Sequence, residues 1–321
     1  MVTTKVTPPK GVATSLPATH TISAQTPIVE YMAMLAEQLT AANRFGTAHN
    51  YRKAIRSLEL FLDGESATLS AIDEEFVGRY DVFLVQRGIV RNTRSFYMRI
   101  LRAAYNRAVR QKILVQTYPF VEVYTGVDRT RKRAVGEEVI RKLRNLPLPH
   151  GTPHALARDL FLFSYCTRGM AFVDIAYLRW DNLQGDMLYY SRHKTGQQLC
   201  VRVEPCIRRI LDLYANPRSP YLFPVLTSTD VATAYEEYVC ALNTHNRLLG
   251  ELSKMVDCGC RLSSYTPRHS WATAARNHNI PLSVISAGMG HSSEQTTRIY
   301  LSQLDNSVID DANLWILKAL E

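Results

Sequence analysis

Between Arg87 and Lys112 the chain carries six arginines, Arg91, Arg94, Arg99, Arg102, Arg107 and Arg110, and no Asp or Glu. At about 100° per residue, Tyr97, Ile100, Leu101, Ala104 and Ala108 gather on one face of a helix, and most of the arginines point the other way. Such a helix must lay its apolar back on a small bundle and turn a single-sign basic face outward. Solvated helix faces usually mix signs. A face of arginines alone suits a phosphate backbone, where basic side chains gain affinity by releasing counterions.

The sequence before that helix supplies a bundle. Residues 28–39 (IVEYMAMLAEQL) repeat apolar side chains at three- and four-residue spacing. After a break at 43–46, Thr47 is placed to cap a helix through Tyr51, Ile55, Leu58 and Leu62, which Asp63-Gly64-Glu65 ends. Residues 73–86 predict a third helix, with Asp73, Glu74 and Glu75 favouring its N-terminus. Pro119 closes the bundle, and the segment 126–133 (GVDRTRKR), with Arg131 and Lys132 at its centre, reads as a basic strap able to cross a phosphate backbone. A second domain of mixed character follows. Helical segments are expected at 137–143, 154–167 and 173–178, then two strands at 187–191 and 199–203 joined by 192–198. Helices fill most of the chain after Pro205. The expected organisation is a flexible tail (1–25), a helical DNA-binding domain (26–125), a basic linker (126–134) and a second domain (135–321).

Composition excludes several classes. At roughly 150 residues per domain, 321 residues suggest two domains, each able to bury a core. A chain that is 46% hydrophobic and 21% charged is neither disordered, collagen-like nor a coiled-coil rod. Its net charge of +9 favours a polyanionic partner. The six cysteines are scattered, and Cys258 and Cys260, the one close pair, have the wrong spacing for zinc. Reduced thiols and no bound metal are expected. No apolar run approaches a membrane span, and the first residues lack the apolar core of a signal peptide. A cytoplasmic location, without membrane contact, is expected.

There is no Gly-rich phosphate loop, no metal-binding carboxylate pair, no His-Glu-x-x-His and no nucleophile-elbow pattern. A DNA-directed enzyme built from this chain works without nucleotide or cofactor. One chemistry fits, in which a side-chain hydroxyl attacks a phosphodiester while fixed cations and donors stabilise the charge that builds. The last third offers those parts in order. Thr266-Pro267-Arg268-His269 opens a helix; His291, in Met289-Gly290-His291, stands 23 residues after Arg268; Tyr300 stands nine residues after His291.

In this order and spacing the sequence resembles the tyrosine recombinase (phage-integrase-like) family, and the run SWATAARNHNIPLSVISAGMGHSSEQTTRIYLSQLD resembles it throughout. The resemblance implies a mostly α fold with a small β-sheet: a helical core-binding domain and a mixed α/β catalytic domain that together close around DNA as a C-shaped clamp. It implies Tyr300 as nucleophile, Arg268 and His291 at the scissile phosphate, and Lys194, in Arg192-His193-Lys194-Thr195-Gly196 between the two strands, as general acid. Two positions depart from the family pattern. Aligning Gly169-Met170-Ala171-Phe172-Val173-Asp174 puts Ala171 where the family's first arginine stands, and Arg168, one turn earlier if the segment is helical, is the expected substitute. Tyr265 stands where many relatives carry His; a phenol can donate to a phosphate but is a poor base. His269 reads as a buried structural histidine. This variant resembles a divergent branch found among bacterial mobile elements and DNA-inverting enzymes, and implies a homotetramer on two duplexes with specific core sites, assisted by accessory DNA-bending proteins at the nucleoid. The apolar tail from Val308 to Leu320 is expected either to pack on its own domain or to dock on a neighbouring protomer. The short N-terminal tail favours a simple invertase or resolvase over an arm-site-dependent integrase. The alternatives are a type IB topoisomerase-like enzyme and a non-catalytic DNA-binding regulator on the same scaffold, an opening that the Ala171 and Tyr265 departures provide.

Overall fold

The computed structural model describes residues 22–128, 134–291 and 293–298. Arg131, Lys132, Tyr300 and the tail from Val308 to Leu320 lie outside the described residues. The chain forms two compact units, Met1–Arg129 and Thr130–Glu321.

The first unit is helical: α1 (Ile28–Ala41), α2 (Phe45–Leu62), α3 (Glu74–Gln86) and α4 (Arg91–Arg110). Tyr31, Met32, Leu35, Leu58, Tyr80, Leu84, Met98 and Tyr105 are almost wholly buried at its centre. Helix α2 starts earlier than its Thr47 predicts, because Asn43 adopts a left-handed φ of 57° and turns the chain directly out of α1. Arg44 then takes the cap position and Thr47 falls in the first turn. Asp73 caps α3 from outside by accepting the Phe76 N–H at 2.8 Å. On α4 the buried stripe is Ser95, Met98, Leu101, Ala104, Tyr105 and Ala108, so Tyr97 and Ile100 sit at its margin instead of its centre.

The second unit contains α5 (Glu137–Asn145), α6 (Pro153–Cys166), α7 (Phe172–Ala176), β1 (Leu183–Gln184), β2 (Met187–Ser191), β3 (Gln198–Arg202), α8 (Pro205–Tyr214), α9 (Val231–Met255), α10 (Thr266–Asn277), α11 (Leu282–Gly288) and α12 (Glu294–Arg298). Helix α6 is the hub, packing on α5, α8, α9 and α10. The antiparallel sheet runs β1-β2-β3, with Met187 opposite Arg202 and Ser191 opposite Gln198. The β2–β3 hairpin lies one residue earlier on its second strand than the sequence suggests. Its inward side chains, Leu188, Tyr190 and Val201, join Phe163, Ile175, Ile207 and Phe223 in the core. Among the described residues no helix is long and apolar enough to cross a membrane, and no group of three His, Cys, Asp or Glu side chains could hold a metal ion.

Candidate functional site

Arg268 lies in the first turn of α10, behind Pro267, where the positive end of the helix dipole disfavours a cation. It is nevertheless only 4% exposed. Backbone carbonyls hold it there: Nη1 donates to Gly169 O and Nη2 to Met289 O, both at 2.6 Å. Gly169 has φ +75°, and a Cβ on it would lie 2.6 Å from Arg268 Cα. The glycine at this position is therefore what lets α10 approach closely enough to seat the guanidinium. A buried cation held by carbonyls keeps its full charge, because carbonyl dipoles orient a guanidinium without neutralising it.

His291 follows the same turn. Its Nε2 lies 2.9 Å from Arg268 Nη2, and its Nδ1 lies 2.8 Å from Oγ1 of the buried Thr297 on α12. A guanidinium can only donate, so Nε2 accepts and the single proton of a neutral ring sits on Nδ1, pointing at Thr297. Burial first, then the charges of Arg268 and Arg192, push the imidazole pKa down to about 4. His291 is thus neutral near pH 7 and braces Arg268. Donation to a phosphate requires a proton on Nε2, which an incoming phosphate's negative charge would favour.

The β2–β3 hairpin presents Lys194 at an exposed tip closed by Gly196 N–H to Arg192 O at 2.8 Å. Its base is pinned from two sides. The His193 N–H donates to the buried Asp174 carboxylate at 2.8 Å, and the His193 ring stacks on Tyr177 at 4.8 Å. Burial raises the Asp174 pKa, against the lowering effects of the His193 N–H and of Arg192, His193 and Arg268. Arg192 donates Nη1 to Gly290 O at 2.9 Å, one residue before His291. The sequence reading passed over Arg192, Asp174 as an anchor of the hairpin, and Thr297. The signal for Arg192 was its position two residues before Lys194 at the end of a strand.

Arg168 does not occupy a helix. Arg168 and Gly169 both have positive φ, 62° and 75°, and α7 begins only at Phe172. The helical turn that would bring Arg168 over Ala171 is therefore absent, because two left-handed residues reverse the chain after α6. The Arg168 side chain runs along Gly288 of α11 and donates to Cys200 O on β3 at 3.3 Å. Ala171 lines a cleft of about 1000 Å³ together with Phe172, Tyr238, Asn246, Arg261, Tyr265 and Arg268. Ala171 brings only a methyl group to this cleft. Tyr265 is 55% exposed at this cleft, and His269 is half-buried instead of fully buried.

On α4 of the first unit Arg91, Arg94, Arg102 and Arg107 are held by side chains. Arg94 donates Nη1 to both oxygens of Asp81 at 3.0 and 3.1 Å. Arg91 lies 3.5 Å from Asp128 and covers the Tyr124 ring at 3.8 Å. Arg102 bonds Thr125 and Arg107 bonds Gln38. Arg99 donates back to Ser95 O at 3.3 Å, and Arg110 is exposed. Several of these bonds tie α4 to the segment that leaves the unit, so the basic face is an organised surface.

Comparison with known proteins gives a consistent picture. Residues 27–123 match the phage integrase SAM-like domain, and residues 137–307 match the phage integrase family. No curated protein matches the chain significantly by sequence. Among solved structures, a Tn1549 transposon integrase in complex with circular-intermediate DNA is 12% identical with a TM-score of 0.64, covering 92% of this chain and 99% of that one. A lambda integrase dimer bound to a COC′ core site is 13% identical with a TM-score of 0.58, covering 84% and 94%. A lambda integrase tetramer bound to a Holliday junction is 14% identical with a TM-score of 0.57, covering 87% and 78%.

Proposed function

Because the chain belongs to the phage integrase family, the tyrosine-type site-specific DNA recombinases, we propose that it breaks and rejoins duplex DNA through a bond between Tyr300 and a 3′-phosphate. The Tyr300 hydroxyl attacks phosphorus as the P–O5′ bond breaks. Its proton passes to water, and Lys194 protonates the departing 5′-oxygen. Arg268 binds the non-bridging oxygens, and His291 bonds to one of them once Nε2 carries a proton. Tyr265, exposed at the same cleft, donates to the phosphate. The phosphotyrosine conserves the energy of the broken bond, and attack by another 5′-hydroxyl completes strand exchange.

The observation that carries this reading is the Arg268–His291 pair. A guanidinium and an imidazole from positions 23 residues apart in sequence lie 2.9 Å apart, and the base of the Lys194 hairpin is tied to the residue before that imidazole through Arg192 and Gly290 O. The basic face of α4, with Arg131 and Lys132, contacts the DNA backbone. The working assembly is a homotetramer on two duplexes, as in the lambda integrase complex with a Holliday junction. Its outcome is inversion, excision or integration of a mobile or invertible segment in a bacterial nucleoid, with DNA-bending proteins assisting.

The test uses nicked duplexes made from DNA flanking the gene and its candidate inverted repeats. Wild type is expected to form an SDS-resistant protein–DNA adduct, and Tyr300→Phe to bind the same duplex with no adduct. A native-gel shift without an adduct from wild type would instead identify a DNA-binding regulator.

A further inference from the structure

We propose that Arg192, at the base of the hairpin, supplies the second phosphate-binding guanidinium that Ala171 leaves missing. The proposal rests on the recombinase reading above. Arg268, on α10, and Arg192, directly after β2, donate to consecutive carbonyls of one turn, Met289 O and Gly290 O. His291 is the next residue, and the charges of both arginines act on its imidazole. Gly290 permits this: its φ is +64°, and a Cβ there would lie 2.6 Å from Leu199 Cδ1 and 3.2 Å from Arg192 Cδ. The side chain of Arg192 therefore lies directly against the Gly290 backbone.

The bond to Gly290 O uses one N–H of Arg192. Its others have no hydrogen-bond partner among the described residues, and the residue is half-buried. A guanidinium has five donors in a fixed fork, so an arginine anchored by one of them can still grip two phosphate oxygens. The charge of Arg192 also reaches His291 and Asp174, groups already placed beside Arg268. Arg168 lacks this placement. It is anchored on β3 through Cys200 O and runs along α11 at Gly288, two residues further from His291 than the carbonyl that holds Arg192.

A phosphate flanked by two guanidinia has its negative charge balanced as phosphorus becomes five-coordinate, so loss of one guanidinium matters only while that charge exists. This gives a readout that a structural role would not move. The probes are two nicked duplexes carrying the segment that wild type attacks, one with the normal scissile phosphate and one with a neutral methylphosphonate there. On the phosphate duplex, Arg192→Ala is expected to form adduct at least about a hundredfold more slowly than wild type, with Arg192→Lys between them and native-gel affinity retained. Arg168→Ala loses less than Arg192→Ala. On the methylphosphonate duplex, Arg192→Ala is expected to match wild type. If Arg192→Ala stays as slow relative to wild type on the methylphosphonate as on the phosphate, the residue merely supports the hairpin and the proposal is overturned. A larger loss from Arg168→Ala than from Arg192→Ala overturns it in favour of Arg168. Absence of any adduct from wild type on the phosphate duplex would sink the recombinase reading itself and the proposal with it.

Discussion

The arginines of α4 and those around the Arg268–His291 pair are held differently. On α4, Arg91 and Arg94 lean on carboxylates and Arg102 and Arg107 on side-chain oxygens. In the second unit, Arg168, Arg192 and Arg268 are anchored on backbone carbonyls, and each lies against a glycine, at 288, 290 and 169 respectively. A carboxylate cancels the charge it positions, whereas a carbonyl fixes direction and leaves the charge in place. The first arrangement stiffens a basic surface and neutralises part of its charge. The second leaves the positive charge undiminished, the condition under which a guanidinium can stabilise a transition state.

The largest expected effect breaks the second arrangement. Arg268→Ala removes a buried donor pair and leaves Gly169 O and Met289 O without the bonds that hold them. Adduct formation on the nicked duplex should fall by about a hundred- to a thousandfold. Thermal unfolding of the variant should also show a stability loss of about 1–3 kcal/mol from the unsatisfied buried carbonyls. A variant that cleaves within tenfold of wild type would show that the carbonyl-held guanidinium is structural.

A smaller effect sharpens the contrast from the other side. Asp81→Asn uncouples a carboxylate that neutralises Arg94, in a pair whose side chains are 20% and 27% exposed. The cost in stability should stay within about 1 kcal/mol. DNA affinity should rise at low salt, and the slope of log affinity against log salt should steepen by about one. An unchanged slope would mean that this part of α4 does not meet phosphates.

The same contrast explains what could be read from the sequence. The bundle was legible because its helices carry strong three-to-four periodicity and Asp73 marks a start. The misjudged entry to α2 came from Asn43, whose left-handed turn no periodicity reports. Arg268 and His291 were legible as a spaced pattern, and they do come together. The step from Arg168 to Ala171 assumed a helical turn, and two consecutive residues with positive φ remove that turn. Arg192 was passed over for the converse reason. Its nearness to His291 spans 99 residues and depends on a carbonyl anchor, and backbone carbonyls leave no residue-type signature.

Two histidines are lowered to about 4, one by burial alone and the other by burial and then by neighbouring charge. His245 stacks on Phe172 at 4.4 Å, and its Nδ1 has no hydrogen-bond partner among the described residues; burial alone lowers it. His291 is lowered by burial and then by Arg268 and Arg192. Both folded values lie below the unfolded value of about 6.5. Between about pH 6.5 and 4 the unfolded chain therefore binds protons that the folded chain refuses, so stability is fully present above that window and falls as the pH drops through it. For the deeply buried His245 the loss by pH 4 amounts to about 3 kcal/mol. Arg192→Gln removes one of the charges acting on His291 and none acting on His245. In a ring-proton NMR titration the His291 signals of that variant should begin to move at higher pH than in wild type, while those of His245 stay unchanged. If both stay put, the charge of Arg192 does not reach the imidazole, and carbonyl anchoring has not delivered it to the site.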